Sequence, residues 1–325
     1  MESRHPGAGT LTPCDPRRYW DSVDLPAFGS QGRIYRAKHR RARRREKVAF
    51  VLTGGGALGA VQVGMLRALV EFGIEADIVL GSSVGALNAA GYAENPTHEG
   101  VDIVERAWLD AKGSDLFNYG RLWSLKQFTT KRAAVYEENR LATLIDQVVV
   151  HDRIEDFALP FGVIATSLSG DPERCFWSGP ARDLLLASSA LPGVFPSVLI
   201  GNQRFIDGGV VNNMPVVQAV DAGATKIYVL QCGPKMSETE TFGPRPIDHV
   251  IGAVTLARKA RAWHDLDSLS ADVEVMVIPG PSAAKLYFVD LSHTAELIAR
   301  GREVAHAFLK ATEENVRAEI LELAH

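Results

Sequence analysis

Gly81-Ser82-Ser83-Val84-Gly85 sets a serine at the centre of a G-x-S-x-G string, between the apolar run Ile78 to Leu80 and the small-residue stretch Ala86 to Ala93. A serine on a sharp strand-to-helix turn exposes its hydroxyl, and the helix N-terminus behind it favours developing negative charge. The chemistry this predicts is nucleophilic acyl transfer, with Ser83 as nucleophile and Gly81 and Gly85 letting the elbow fold tightly. Such a hydroxyl is weak at neutral pH and needs a base within roughly 2.6–3.2 Å. Asp207 is the candidate: it follows the extended piece Arg204 to Ile206 and precedes Gly208-Gly209, so it reads as an acid exposed at a glycine turn. Alone, the same residues read as an ordinary Asp-Gly hairpin turn.

Gly54-Gly55-Gly56 follows the apolar run Val48 to Thr53 and opens a helical pattern, so backbone N–H groups stand unshielded by side chains. Those three glycines are the candidate oxyanion hole for a tetrahedral intermediate. The overlapping Gly54-x-Gly56-x-x-Gly59 also satisfies the dinucleotide-binding fingerprint. That rival expects an acid at the end of the next strand; here the strand ends Leu80-Gly81-Ser82-Ser83, and Asp77 lies at its start.

The elements needed to position these groups are legible in the periodicity. Strands are expected at Val48 to Thr53, Ile78 to Leu80, Phe161 to Thr166, Val198 to Ile200, Lys226 to Gln231 and Val273 to Ile278. Helices are expected at Ala57 to Phe72, Arg182 to Ser189, Pro215 to Ala222, Asp248 to Leu269 and Thr294 to Glu314. Alternating strands and helices imply an α/β fold with a mostly parallel sheet covered on both faces. The domain is expected over 47–325, after a basic, flexible extension at 1–46, with Asn95 to Asp156 as a helical cap.

Composition narrows the function classes. The 325 residues are 46% apolar and hold only three cysteines, Cys14, Cys175 and Cys232, far apart, which speaks against a disulfide framework or a metal site. Residues 1–47 carry 12 Lys/Arg against 5 Asp/Glu, and the remainder 23 against 34. An acidic domain repels phosphate backbones, so no nucleic-acid partner is expected. The run Arg33 to Lys47 could instead draw the chain to anionic lipid. With neither a signal peptide nor a spanning helix evident, the expectation is a cytoplasmic protein in peripheral contact with the inner membrane face.

Together the motifs resemble the patatin-like phospholipases. Gly54-Gly55-Gly56-Ala57-Leu58-Gly59 is similar to that family's oxyanion loop, Gly81 to Gly85 to its nucleophile elbow, and Asp207-Gly208-Gly209 to its acid motif. Ala187 to Pro196 resembles the segment that precedes the acid, and Asn212-Asn213-Met214-Pro215 the tail that follows it. The resemblance implies a three-layer α/β/α fold and hydrolysis of lipid acyl esters by a Ser83/Asp207 dyad through an acyl-enzyme, with no cofactor. It departs at Ala57 and Leu58, where many members carry a basic residue able to attract an anionic head group. Competing readings are a triad completed by His249, His264, His293 or His306, a non-catalytic lipid-binding scaffold, and the dinucleotide-binding enzyme.

Overall fold

Short apolar runs cut off by glycine or polar turns form the strands. The computed structural model describes residues 33–35, 46–111, 139–233, 246–280 and 290–323. In chain order the strands are β1 (Arg33–Tyr35), β2 (Val48–Leu52), β3 (Ile78–Ser82), β4 (Phe161–Ser167), β5 (Glu173–Phe176), β6 (Val198–Ile200), β7 (Gln203–Asp207), β8 (Lys226–Leu230) and β9 (Glu274–Ile278). They form one sheet in the order β1-β9-β8-β2-β3-β4-β7-β6, with β5 paired to β4 off that path. Every neighbouring pair from β9 to β4 is parallel, and β1, β5, β6 and β7 add antiparallel pairings.

The helices are α1 (Ala60–Glu71), α2 (Val84–Glu94), α3 (His98–Ala111), α4 (Asn139–Val148), α5 (Ala181–Ser188), α6 (Val216–Asp221), α7 (Pro246–Ser268) and α8 (Thr294–Leu323). Side chains alternate across a strand, and here the alternation sorts them into two cores. Phe50, Leu52, Val79, Tyr228, Leu230 and Met276 face the core shared with α1 to α5 and α8. Ala49, Val51, Ile78, Leu80, Ile227, Val229 and Val275 face the core shared with α6 and α7. The result is the three-layer α/β/α arrangement. Among the described residues no helix is long and apolar enough to cross a membrane.

Some details depart from expectation. The helix after the glycine run begins at Ala60 rather than Ala57, because Gly56 adopts φ 57° and the chain makes a 3-10 turn over Gly56–Gly59 first. Arg33–Tyr35, from the segment expected to precede the domain, is an antiparallel edge strand opposite Val275 to Val277. Lys47 is tied inward, its Nζ donating to Ala222 O at 3.0 Å. The rest of the basic run, 36–45, lies outside the described residues, and so does 112–138 of the expected helical cap. Of that cap, α3 and α4 bury Val101, Val104, Trp108, Leu141 and Ile145 against the larger core.

Two glycines allow α1 and α8 to touch backbone to backbone. A Cβ on Gly64 would lie 2.0 Å from Ile298 O, and one on Gly301 2.1 Å from Val61 O. Overpacking of this kind destabilises by about 1–3 kcal/mol. Gly64→Val and Gly301→Val should therefore each lower the thermal midpoint by several degrees, whereas Gly233→Ala, facing open space, should leave it in place. Scanning calorimetry of the three variants checks the contact, and equal midpoints would refute it.

Candidate active site

β3 runs straight into α2, and Ser83 is the single residue between them. Its backbone has φ 56° and ψ −132°, the one positive φ among the described non-glycine residues. Such a conformation is strained by about 1–3 kcal/mol and survives only where the surroundings enforce it. Gly81 and Gly85 are part of that enforcement. A Cβ on Gly81 would lie 2.5 Å from Gly85 O, and one on Gly85 2.3 Å from Leu52 O, so the elbow folds onto itself and onto the end of β2. Ser83 N donates to Ser188 Oγ at 3.0 Å, which pins the turn from α5. Ser83 is partly exposed, whereas Ser82 is fully buried.

Asp207 is the last residue of β7, and its carboxylate is shared between two donors. Ser83 Oγ donates to Oδ2 at 2.6 Å and Gly209 N to Oδ1 at 2.8 Å. Thr166 Oγ1 donates to Asp207 O at 2.8 Å and holds the backbone from β4. Gly208 must lack a side chain, because a Cβ there would lie 2.2 Å from Ile164 O. Burial pushes the Asp207 carboxyl above its ordinary value, and the Arg258 guanidinium, the Ser83 hydroxyl and the Gly209 amide pull it back part of the way.

The glycine loop is braced from three directions. Gly54 N donates to Asn213 Oδ1 at 3.1 Å and Asn213 Nδ2 to Gly54 O at 3.3 Å, so that amide is already occupied. Beneath Gly55 sits Cys232, whose Cβ would be 2.3 Å from a Cβ added to the glycine. A buried chain of side chains holds the two ends: Trp108 Nε1 donates to Asn88 Oδ1 at 2.7 Å, and Asn88 Nδ2 to Gly59 O and Gln62 Oε1 at 2.9 Å each. Gln62 Nε2 in turn donates to Thr53 O at 2.8 Å. Gly55 and Gly56 remain as the loop positions whose amides these braces do not use.

A cleft opens on Ser83, Asp207 and Gly56, with walls of Leu87, Trp108, Leu141, Leu144, Phe195 and Leu291. The four histidines considered for a triad stand elsewhere: His249 and His264 are exposed on α7, His293 pairs with Glu296 and His306 with Glu71. Asp77, the acid nearest to the dinucleotide pattern, accepts from Val48 N at 2.8 Å, at the opposite end of the strands from the glycine loop. Sequence reasoning passed over Ser188 as the anchor of the elbow, Asn213 as the partner of Gly54, and Arg258 beside Asp207. Asn213 and Ser188 lie in segments already singled out, whereas Arg258 carried no signal among the other basic residues of α7.

The raised Asp207 titration has a consequence for stability. An acid whose folded pKa exceeds its unfolded value favours the fold when protonated, and that contribution is lost as pH rises through the folded pKa. Asp207→Asn should therefore melt above the wild type at pH 7, with the gap closing as pH falls to the ordinary carboxylate range. Thermal unfolding of both proteins across pH tests it; a wild type that melts higher at pH 7 would show the carboxylate to be a net stabiliser.

The family profile described as Patatin-like phospholipase matches residues 50–220. Patatin-like phospholipase domain-containing protein 7 of Rattus norvegicus is 28% identical over 240 residues, which is 70% of this chain and 17% of that protein. Lysophospholipase NTE1 of Phaeosphaeria nodorum is 33% identical over 212 residues, 63% of this chain and 13% of that one. The chain thus spans less than a fifth of the length of these curated relatives. Among solved structures, the ExoU-SpcU complex from the type III secretion system of Pseudomonas aeruginosa aligns over 96% of this chain and 62% of that chain, at 15% identity and a TM-score of 0.43. With the profile covering more than half of the chain, from β2 through the elbow and the acid turn to α6, this protein belongs to the patatin-like phospholipase family.

Proposed function

We propose that the protein hydrolyses acyl esters of lipids through a Ser83/Asp207 dyad and an acyl-enzyme. The observation that carries this reading is the 2.6 Å hydrogen bond from Ser83 Oγ to Asp207 Oδ2 at the mouth of an apolar cleft. A hydroxyl at that distance from a carboxylate whose proton affinity is raised has its acceptor in place before substrate arrives. The walls of Leu87, Leu141, Leu144 and Phe195 suit an acyl chain and offer nothing to a sugar or nucleotide.

In acylation, Ser83 Oγ attacks the ester carbonyl carbon while its proton passes to Asp207 Oδ2. The carbonyl oxygen becomes an oxyanion facing the Gly55 and Gly56 amides, with the N-terminus of α2 adding positive potential. Collapse expels the alcohol, which takes the proton from Asp207. In deacylation, water gives a proton to Asp207 and its oxygen attacks the acyl carbon. A second collapse releases the fatty acid and returns the proton to Ser83. Gly54 takes a supporting part, because its amide is held by Asn213. The basic run from Arg33 to Lys47 is assigned to anionic membrane, on the strength of its charge alone.

Ser83→Ala and Asp207→Asn should each lower turnover of a soluble short-chain ester by about ten-thousand-fold. Labelling by a fluorophosphonate should vanish in Ser83→Ala, and Ser82→Ala should remain active. His249→Ala, His264→Ala, His293→Ala and His306→Ala should keep their turnover. A histidine variant as inactive as Ser83→Ala would replace the dyad by a triad, and an unlabelled wild type would return the chain to the scaffold reading.

Changing Arg40, Arg41, Arg43, Arg44 and Arg45 together to Gln should weaken sedimentation with phosphatidylserine liposomes, and added salt should weaken it in the wild type. Turnover of the soluble ester should be retained. Equal sedimentation of both proteins would remove the membrane role from this segment.

A further inference from the structure

Three buried side chains outside the dyad link the wall of the cleft to the glycine loop. Trp108 on α3 lines the cleft, and its ring packs on Gly59, where an added Cβ would lie 2.9 Å from Trp108 Cζ2 and 2.6 Å from Val84 Cγ2. The same indole donates from Nε1 to Oδ1 of Asn88 on α2 at 2.7 Å. Asn88 Nδ2 donates onward to Gly59 O and to Oε1 of Gln62 on α1. Gln62 Nε2 ends the chain with two more bonds, to Thr53 O at 2.8 Å and Leu230 O at 2.9 Å. Thr53 and Gly59 flank the loop on its two sides, and Trp108, Asn88, Gln62 and Thr53 are each 4% exposed or less.

Chemistry leaves this relay one polarity. An indole N–H only donates, so Asn88 must present its oxygen to Trp108 and its amide nitrogen to Gly59 and Gln62. Gln62 must then present its oxygen to Asn88 and its nitrogen to the two carbonyls. Every polar atom of both amides has a partner, and turning either amide over would set oxygen against oxygen in a buried site. The carbonyls on both sides of the glycine loop are thus held by a chain of donors that starts at the cleft wall. Asn88 and Gln62 themselves stand behind that wall and do not line the cleft.

We propose that Trp108, Asn88 and Gln62 are positioning residues for the oxyanion: by fixing the carbonyls of Thr53 and Gly59 they aim the Gly55 and Gly56 amides at the oxygen of the tetrahedral intermediate. The inference rests on the ester-hydrolase reading above and deepens it. A run of three glycines has no side chains with which to hold itself, and glycine gives up more backbone freedom on ordering than any other residue. Its aim has to be set from outside. Donors fixed in advance stabilise the developing charge without reorganising during the reaction, so the benefit falls on the transition state rather than on the bound ester.

The test measures turnover of p-nitrophenyl octanoate and inhibition by two ketones, heptyl trifluoromethyl ketone and heptyl methyl ketone. Ser83 Oγ adds to the carbonyl carbon of the first, with its proton passing to Asp207, and leaves an oxyanion in the hole; the second binds as a neutral carbonyl. Trp108→Phe keeps a ring in the wall and removes the N–H, while Gln62→Met breaks the far end of the relay, away from the cleft. Each should lower kcat about tenfold with KM unchanged, less than outright loss of an oxyanion donor costs. The inhibition constant of the trifluoromethyl ketone should rise by the factor by which kcat/KM falls, and that of the methyl ketone should stay in place. Leu144→Ala, a wall residue outside the relay, should instead raise KM and weaken both ketones alike. Circular dichroism shows which variants are folded, and because the two relay variants enter from opposite ends, either one alone decides. Equal weakening of both ketones in Trp108→Phe, or an unchanged kcat in Gln62→Met, would overturn the proposal and leave Trp108 as cleft wall only. A lowered kcat with undiminished trifluoromethyl ketone affinity would also overturn it, by placing the loss outside the oxyanion. A wild type that neither hydrolyses the ester nor takes up a fluorophosphonate would overturn the hydrolase reading itself, and this inference with it.

Discussion

The hydrogen bond from Ser83 to Asp207 joins two residues that arrive from opposite sides of β4, and the register of the sheet is what lets them meet. Ser82 pairs with Ile164 and Asp207 with Ala165, so consecutive residues of β4 set the heights of both partners. A slip of one residue between β7 and β4 would turn the carboxylate to the other face of the sheet. The switch from parallel pairing on one side of β4 to antiparallel on the other is what brings the two residues together. β3 and β7 run toward one another along β4, so the strand that ends at Asp207 and the strand that ends just before Ser83 stop at neighbouring heights.

That arrangement works against stability at several points. Asp207 is 2% exposed and titrates above a free carboxylate, which means that its surroundings solvate the charge less well than water does. Ser83 holds a backbone conformation that few side chains adopt. Gly81, Gly85 and Gly208 each leave a gap that a methyl group would fill with backbone. The favourable terms lie deeper, in the two apolar cores and in buried polar contacts such as Asn88 with Gly59 and Gln62. The site is strained locally and supported from below.

How much of this the sequence disclosed depended on how few residue types a position tolerates. An elbow needs small residues on both sides of its serine, and an acid at a tight turn needs glycines after it, so Ser83 and Asp207 stand out in one dimension. The two-faced strands were visible for a similar reason, as short runs apolar on every residue. Gly54, Gly55 and Gly56 look alike in sequence, and only the distant Asn213 carbonyl separates the first from the others. Arg258, Lys259 and Arg261 are equally anonymous on α7, since which guanidinium finds a carboxylate depends on Glu173 and Asp265, brought in by packing. β5 is masked by Glu173 and Arg174, and β1 by the basic residues around it, where charge obscures strand periodicity.

The absence of charge at Ala57 and Leu58 bears on how the two electrostatic tasks of the site are divided. An oxyanion facing backbone amides and the end of α2 is stabilised by dipoles that neither titrate nor exchange with counter-ions. A side-chain cation on the glycine loop would add to that field, but it would also act on the substrate's ground-state carbonyl, where stabilisation does not accelerate the chemistry. In this chain the nearby cation, Arg258, lies on the other side, next to Gly209 and Asp207. From there it opposes the effect of burial on Asp207. An oxyanion at this site would thereby be left to backbone dipoles, while Arg258 acts on Asp207 from across the sheet.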